Sequence, residues 1–351
     1  MNWIQRFRQP GVLAALGAAL LFGAGTPLAK LLLEAVDPWL LAGLLYLGSG
    51  VGLTLYRWMA RSERVRMARG EVRWFAGAIV AGGVAAPVLL MFGLVRMPAS
   101  GASLLLNAEA VFTALLAWFV FKENFDRRIA LGMVAIVAGA AILSWPDELQ
   151  FSGLWPALAI LGACLAWGID NNLTRKVSLT DAAWIASVKG LIAGFVNVAL
   201  AIQLGARLPP VSAIAGAMLI GLLAYGASLA MFVVALRHLG TARTGAYFSV
   251  APFCGALLAL ALGEPVTVSL VCAGVLMGFG VWLHLSERHQ HEHLHEALEH
   301  DHEHVHDGDP HHEHEHEVPV EPGTRHSHRH RHEPLRHTHP HFPDAHHRHD
   351  H

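Results

Sequence analysis

Charge is what this sequence has least of. Asp, Glu, Lys and Arg make up 15% of its 351 residues and apolar residues 54%, against roughly 25% charged in an ordinary soluble domain. That balance excludes a cytosolic enzyme of the usual kind. Cysteine is scarce too: Cys164, Cys254 and Cys272 each sit in an apolar run without disulfide or zinc spacing, so they read as buried structural thiols and say nothing about redox compartment. No nucleophile elbow, phosphate loop or zincin motif occurs, and no enzymatic activity is expected. Histidine is nearly missing from the first 288 residues, which hold only His238 and His284, yet 23 of the 25 histidines fall between His289 and His351. Charge divides at the same place, with 20 basic and 13 acidic residues up to Arg288 and 5 basic and 14 acidic beyond it. The chain therefore has two physically different parts, and its formal net charge of −2 describes neither.

Long apolar runs fill the first part. A helix of about 20 residues, rising 1.5 Å per residue, crosses roughly 30 Å of hydrocarbon. Ten segments suit that length: 10–34, 38–58, 74–95, 99–121, 127–145, 153–174, 181–204, 213–236, 243–263 and 266–286. The run from Pro10 exceeds the 7 to 15 residues or so of a signal-peptide core, so it reads as a first membrane helix. Sixteen basic residues fall at the N-terminus, in the 2–3, 4–5, 6–7 and 8–9 loops and at Arg288, against Arg96 and Arg207 on the other side. Cytoplasmic loops carry the positive excess, so both termini are expected in the cytoplasm, with the protein in the inner membrane of a bacterium. The arginines from Arg57 to Arg73 suit an anchor on anionic lipid heads. No nucleic-acid partner is expected, and the sequence sets no oligomeric state.

The apolar part carries an internal echo. Phe22-Gly23 followed by Lys30 matches Trp167-Gly168 followed by Arg175, and Phe112 with Glu123 matches Phe253 with Glu264, at one shift near 141 to 145 residues. Five spans per copy is an odd number, so the second copy enters the membrane from the opposite side. On these residues, with the run Ala102-Ser103-Leu104-Leu105-Leu106 and Pro252-Phe253 to Gly263-Glu264, the sequence resembles the drug/metabolite transporter superfamily, specifically proteins with two EamA domains. The resemblance covers residues 10–145 and 153–286. It implies an all-α membrane protein of ten helices in two inverted five-helix repeats, a secondary transporter that exports amino acids or other small metabolites through a central cavity. One departure stands out: Pro252 precedes Glu264 by twelve residues, but Val111 holds the matching position before Glu123, with Glu109 two residues earlier.

An ionised side chain at the bilayer centre costs about 2.5 to 3.5 kcal/mol, so intramembrane charges usually face a wet cavity or a partner. Glu109 falls near the middle of its span and reads either as part of a substrate or proton pathway or as a paired structural carboxylate. Lys189 reads as its partner, as an attractor of anionic substrate groups, or as a snorkelling side chain. Lys30, Asn107, Asp170 and Tyr225 complete the candidate pathway, each with a packing alternative: Lys30 snorkelling, Asn107 bonded to a neighbouring helix, Asp170 in a helix-end charge pair, Tyr225 a packed aromatic. Gly48 and Gly52, Ala135 and Gly139, and Gly274 and Gly278 stand four apart, a spacing that lets helices approach closely in lipid. Pro27, Pro87 and Pro252 are expected to bend spans and free carbonyls.

From His289 the apolar pattern ends, lysine disappears and histidine alternates with charged residues, a composition that buries no core and is expected to be disordered. The histidines form six groups: His289, His291, His293 and His295; His300, His302, His304 and His306; His311, His312, His314 and His316; His326, His328, His330 and His332; His337, His339 and His341; and His346, His347, His349 and His351. Alternate spacing places imidazoles on one side of an extended chain, and imidazole suits zinc, nickel, cobalt and copper(II). The tail is thus a candidate site for a divalent transition metal, although no cofactor is required. Its simpler reading is a solvated extension whose charge rises as pH falls towards about 6.5.

Three functions remain open at this point. The first is secondary transport of a small organic metabolite, coupled to protons through Glu109. The second is transport of nickel, cobalt or zinc with the tail as buffer or sensor. The third is a membrane metal-binding protein that transports nothing. The bilayer is a partner in all three.

Overall fold

The computed structural model describes residues 10–62, 65, 67–121, 127–144, 151–174, 177, 181–232, 234–235, 247–285, 290–295, 299–305, 325–331 and 335–340. The chain forms two units, Met1–Glu287 and Arg288–His351.

Among its described residues the first unit is built of helices joined by short turns and loops, with no strand. Seven helices are long and apolar enough to cross a membrane: Gly11–Leu32, Pro38–Met59, Val72–Arg96, Ala99–Leu116, Leu154–Thr174, Ala183–Gln203 and Val211–Phe232. Shorter apolar helices, Ala130–Ser144, Ala251–Ala261 and Val268–Leu283, occupy the places of expected spans five, nine and ten. The ten spans of the sequence reading thus become seven long helices and three short ones among the described residues. Phe119, Phe195 and Val275 stand 68 to 70% exposed on the outer surface. Apolar exposure on that scale is tenable in lipid and not in water.

Four spans depart from simple helix. The third passes through a π-helical stretch, Ile79–Ala85, and the eighth through another, Leu222–Ala227. Span four breaks at Leu106-Asn107 between helices Ala99–Leu105 and Ala108–Phe121. Span nine turns at Ser249-Val250 before helix Ala251–Ala261. The two π stretches lie 143 residues apart, and so do the breaks, within the shift that relates the sequence echoes. Pro252 does not bend a helix: it opens one in the first turn, where the missing N–H costs nothing.

Packing follows the same exchange of halves. Span one packs on spans eight and nine, and span six on spans three and four. Span two packs on span seven, and span five on span ten. Gly23 makes room for the Ala251 carbonyl, where a Cβ would lie 2.2 Å away, and its echo Gly168 meets Phe112 and Thr113 at 3.1 Å. Spans two and seven cross where Gly50 meets Gly190 and Gly43 meets Gly194 and Asn197. The expected pair Gly48 and Gly52 packs instead on Met218 and Leu222 of span eight. Of the thiols, Cys164 is buried, Cys254 half-buried and Cys272 exposed, which corrects the expectation of three buried cysteines.

In the second unit, β1 (Gln290–His295) pairs antiparallel with β4 (Leu335–Pro340), and β2 (Glu299–Val305) with β3 (Arg325–Arg331). Strict alternation of residue type is a period of two, and only extended strands give that period two distinct faces. His289, His306, His311, His312, His314, His316, His332, His341, His346, His347, His349 and His351 lie outside the described residues.

Candidate substrate and proton pathway

The break in span four sets the site. Ending one helix at Leu105 and starting another at Ala108 exposes carbonyls that need donors. Asn107 donates its side-chain amide to Leu104 O at 2.9 Å, and the Cys164 thiol faces Leu105 O at 3.6 Å. Asn107 thus serves the broken end of its own span. Restarting the helix places Glu109 in its first turn, where the positive end of the helix dipole favours a carboxylate.

Glu109 Oε1 accepts from Asn171 Nδ2 at 2.8 Å, and that amide also reaches Thr113 Oγ1 at 3.3 Å. Of the readings open for Lys189, pairing with Glu109 does not occur among the ion pairs of the described residues. Lys189 Nζ donates to both oxygens of Asp170, at 2.6 and 2.7 Å, and Asp170 Oδ1 also accepts from Thr174 at 2.9 Å. Two opposite charges there cancel. Gly82 of the third span leaves the space: a Cβ on it would lie 1.9 Å from Asp170 Oδ2. Among the described residues, no cation stands within salt-bridge distance of Glu109.

The third-span π stretch completes the polar centre. Ala86 N–H reaches back five residues to Ala81 O, and in that register the missing N–H of Pro87 leaves Gly82 O without a helical donor. Tyr46 OH (2.7 Å) and Trp167 Nε1 (3.1 Å) both donate to it. Gly83 O accepts from Asn197 Nδ2 at 3.1 Å, and Asn197 Oδ1 from Trp39 Nε1 at 3.3 Å. Pro87 thus frees carbonyls as its sequence position suggested. Tyr46 lies against Tyr225 at 5.5 Å between ring centroids, and Tyr225 against Phe22 at 5.8 Å. The structure brings together Glu109, Asp170, Lys189 and an aromatic wall that includes Tyr225. Asn197, Tyr46 and Trp167 belong to this network without having stood out in the sequence, and Asn171 joins it beside Asp170. Asn197 had a signal: it stands three residues after Gly194 and seven after Gly190, on the face that meets span two.

Lys30 is elsewhere. In the last turn of the first helix, it donates to the carbonyls of Leu94 and Val95 at the end of span three. Close by in function is Glu264, whose two oxygens accept from Ala99 N (2.6 Å) and Ser100 N (2.8 Å) at the start of span four. Pro98, the N-cap residue, supplies no side-chain acceptor, so a carboxylate from the other half of the chain does. The echo partners Glu123 and Arg175 lie outside the described residues.

This architecture has relatives. The model of the EamA-like transporter family matches residues 9–145 and again 154–286. The chain belongs to the EamA-like transporter family. This EamA-like transporter is 27% identical over 294 residues to a protein of Methanothermobacter thermautotrophicus named an uncharacterized transporter, covering 78% of this chain and 85% of that one. Over 85 residues, 23% of this chain and 27% of the other, it is 33% identical to a Salmonella typhimurium protein named "Probable amino-acid metabolite efflux pump". A solved crystal structure superposes with a TM-score of 0.60 at 18% identity, over 78% of this chain and 95% of that one, and shows the shared fold. Among the described residues of the transporter, no three His, Cys, Asp or Glu side chains gather closely enough to hold a metal ion.

Proposed function

We propose that this membrane transporter moves small amine-bearing organic metabolites out of the cell by alternating access, exchanging them for protons at Glu109. One observation carries the reading. Asp170 and Lys189 neutralise each other, while Glu109 is held only by neutral partners among the described residues. An unmatched carboxylate deep in the membrane unit is costly unless it takes a proton or a cation in turn. The facing aromatic rings of Tyr46, Tyr225 and Phe22 suit an ammonium group beside that carboxylate. Two inverted five-helix repeats, 10–145 and 153–286, would rock about the pairing of spans two with seven and five with ten. The excess of basic residues in alternate loops supports cytoplasmic termini and a bacterial inner membrane.

The test is flux in proteoliposomes of the full-length protein, with a panel of labelled amino acids and amines, with and without a pH gradient. Saturable exchange of an amine-bearing solute, accelerated by the gradient, is expected. Flux confined to radiolabelled nickel, cobalt or zinc, or indifferent to the gradient, would overturn the reading.

A further inference from the structure

We propose that the short helix Ala99–Leu105 is a plug that closes one end of the pathway in this structure, and that Lys30 and Glu264 are the latches that hold it in. The sequence Ala-Ser-Gly-Ala-Ser-Leu-Leu is small or apolar at every position, and all seven residues are buried, so the helix turns no face to lipid. It packs on spans one, five, six, nine and ten, elements of both halves of the chain. Along span four it lies between the turn at Met97-Pro98 and Glu109. A helix buried on every side there occupies the way between Glu109 and that end of the bundle.

Two interruptions set its freedom to move. The break at Leu106-Asn107 separates the plug from Glu109, and the π-helical stretch Ile79–Ala85 separates the end of span three, Ala86–Arg96, from the rest of that span. Both interruptions lie at one depth, because Leu105 O faces Cys164 and Gly82 O faces Trp167, three residues or about 4.5 Å apart along span six. Interruptions of this kind are where helices hinge. The segment 86–105 is thus bounded at both ends, with Pro98 at its turn.

The latches come from outside that segment and bear on the turn. Pro98 has no N–H to give Leu94 O, and the N–H of Ala99 is turned to Glu264, so the end of span three takes its donor from Lys30 of span one. Glu264 holds the other side of the turn through Ala99 N and Ser100 N. Its own place is fixed by Gly263, whose φ of +104° closes span nine while Gly263 N–H returns to Leu260 O and Glu264 N–H to Ala259 O, a conformation that favours glycine. Against the latches stands one cost. Ser103 Oγ of the plug is buried without a hydrogen-bond partner, close against Gly255 of span nine, and a hydroxyl left so is expensive. Latches that hold the plug and a hydroxyl that is relieved when it leaves bring two states near balance, the condition under which a ligand shifts their populations.

The inference rests on the proposed alternating access, but its readout needs neither substrate nor gradient, so the failure of either shows separately. Full-length protein in nanodiscs, with Cys254 and Cys272 changed to Ala, carries nitroxide labels at Arg96→Cys on the turn and Leu204→Cys at the end of span seven, both exposed positions. Pulsed electron resonance reads the distance between them. A latched population that matches this structure and a displaced one are expected. Glu264→Ala should raise the ratio of displaced to latched about tenfold, the worth of one charge-assisted hydrogen bond, and Lys30→Met should move it in the same direction. Ser103→Ala should lower the ratio about threefold, since it removes the buried hydroxyl. A distribution untouched by Glu264→Ala, or one that Glu264→Ala and Ser103→Ala move the same way, would overturn the plug.

Discussion

Lysine and carboxylate occur together in two regions of the membrane unit, and the two sets are satisfied in opposite ways. At one end of the bundle, Lys30 and Glu264 serve different helix termini: the lysine takes the carbonyls of Leu94 and Val95, and the carboxylate takes the N–H groups of Ala99 and Ser100. At the polar centre, where helix ends are fewer, Lys189 and Asp170 take each other. Helix termini offer about half a charge each, so ions near them need no ionic partner; ions between continuous helices do. Glu109 fits neither pattern completely. It has the N-terminal turn of a restarted helix and a neutral amide, and the proposed proton exchange rests on that incomplete satisfaction.

The largest expected effect breaks the central set. Lys189→Met leaves Asp170 unpaired and buried, which should cost about 3 to 5 kcal/mol, while Lys189→Met with Asp170→Asn should recover most of it; thermal unfolding in detergent reads both. Next comes the space beside that pair. Gly82→Ala drives a Cβ onto Asp170 Oδ2 and should cost about 1 to 3 kcal/mol, whereas Gly70→Ala, with nothing within 4 Å, should be neutral or slightly stabilising by the same measurement.

The end set should be gentler. Glu264→Gln keeps an acceptor but loses the charge, with an expected loss of about 0.5 to 2 kcal/mol and no change in the pH response of transport. Smallest is the surface pair of Arg57 with Asp181. Partial burial pushes the Asp181 carboxyl up, but the Arg57 guanidinium and the Trp184 N–H outweigh it and hold the pKa below its ordinary value. A depressed folded pKa gives stability that is present above the unfolded value near 3.9 and lost as pH falls through the folded one. Arg57→Ala should therefore remove less than about 1 kcal/mol at neutral pH and nothing below the folded pKa, as chemical denaturation at pH 7 and under strongly acid conditions would show.

Much of the first unit was legible because membrane helices announce themselves by length, and the 141-to-145 shift by Gly23, Gly168 and the two Phe–Glu pairs. Glu109 stood out because a carboxylate inside an apolar run is costly. The breaks at Leu106-Asn107 and Ser249-Val250 were hidden, since the residues around them are apolar and helix-compatible and the interruption is set by packing. The partner of Lys189 was left open among three readings for the same reason. Periodicity tells which residues share a face of one helix, but Asp170 and Lys189 lie on two helices whose mutual rotation it does not fix. Glu264 was seen only as part of a family signature, because its targets are backbone N–H groups 164 and 165 residues away.

The central claim is that Glu109 carries the coupling proton while Asp170 and Lys189 hold the frame. Its most direct test compares gradient-driven exchange in proteoliposomes for the wild type, Glu109→Gln, and the Asp170→Asn, Lys189→Met double variant. Glu109→Gln should keep gradient-independent exchange and lose its acceleration by the pH gradient, and the double variant should keep the acceleration. A Glu109→Gln protein that still responds to the gradient as the wild type does would contradict the account.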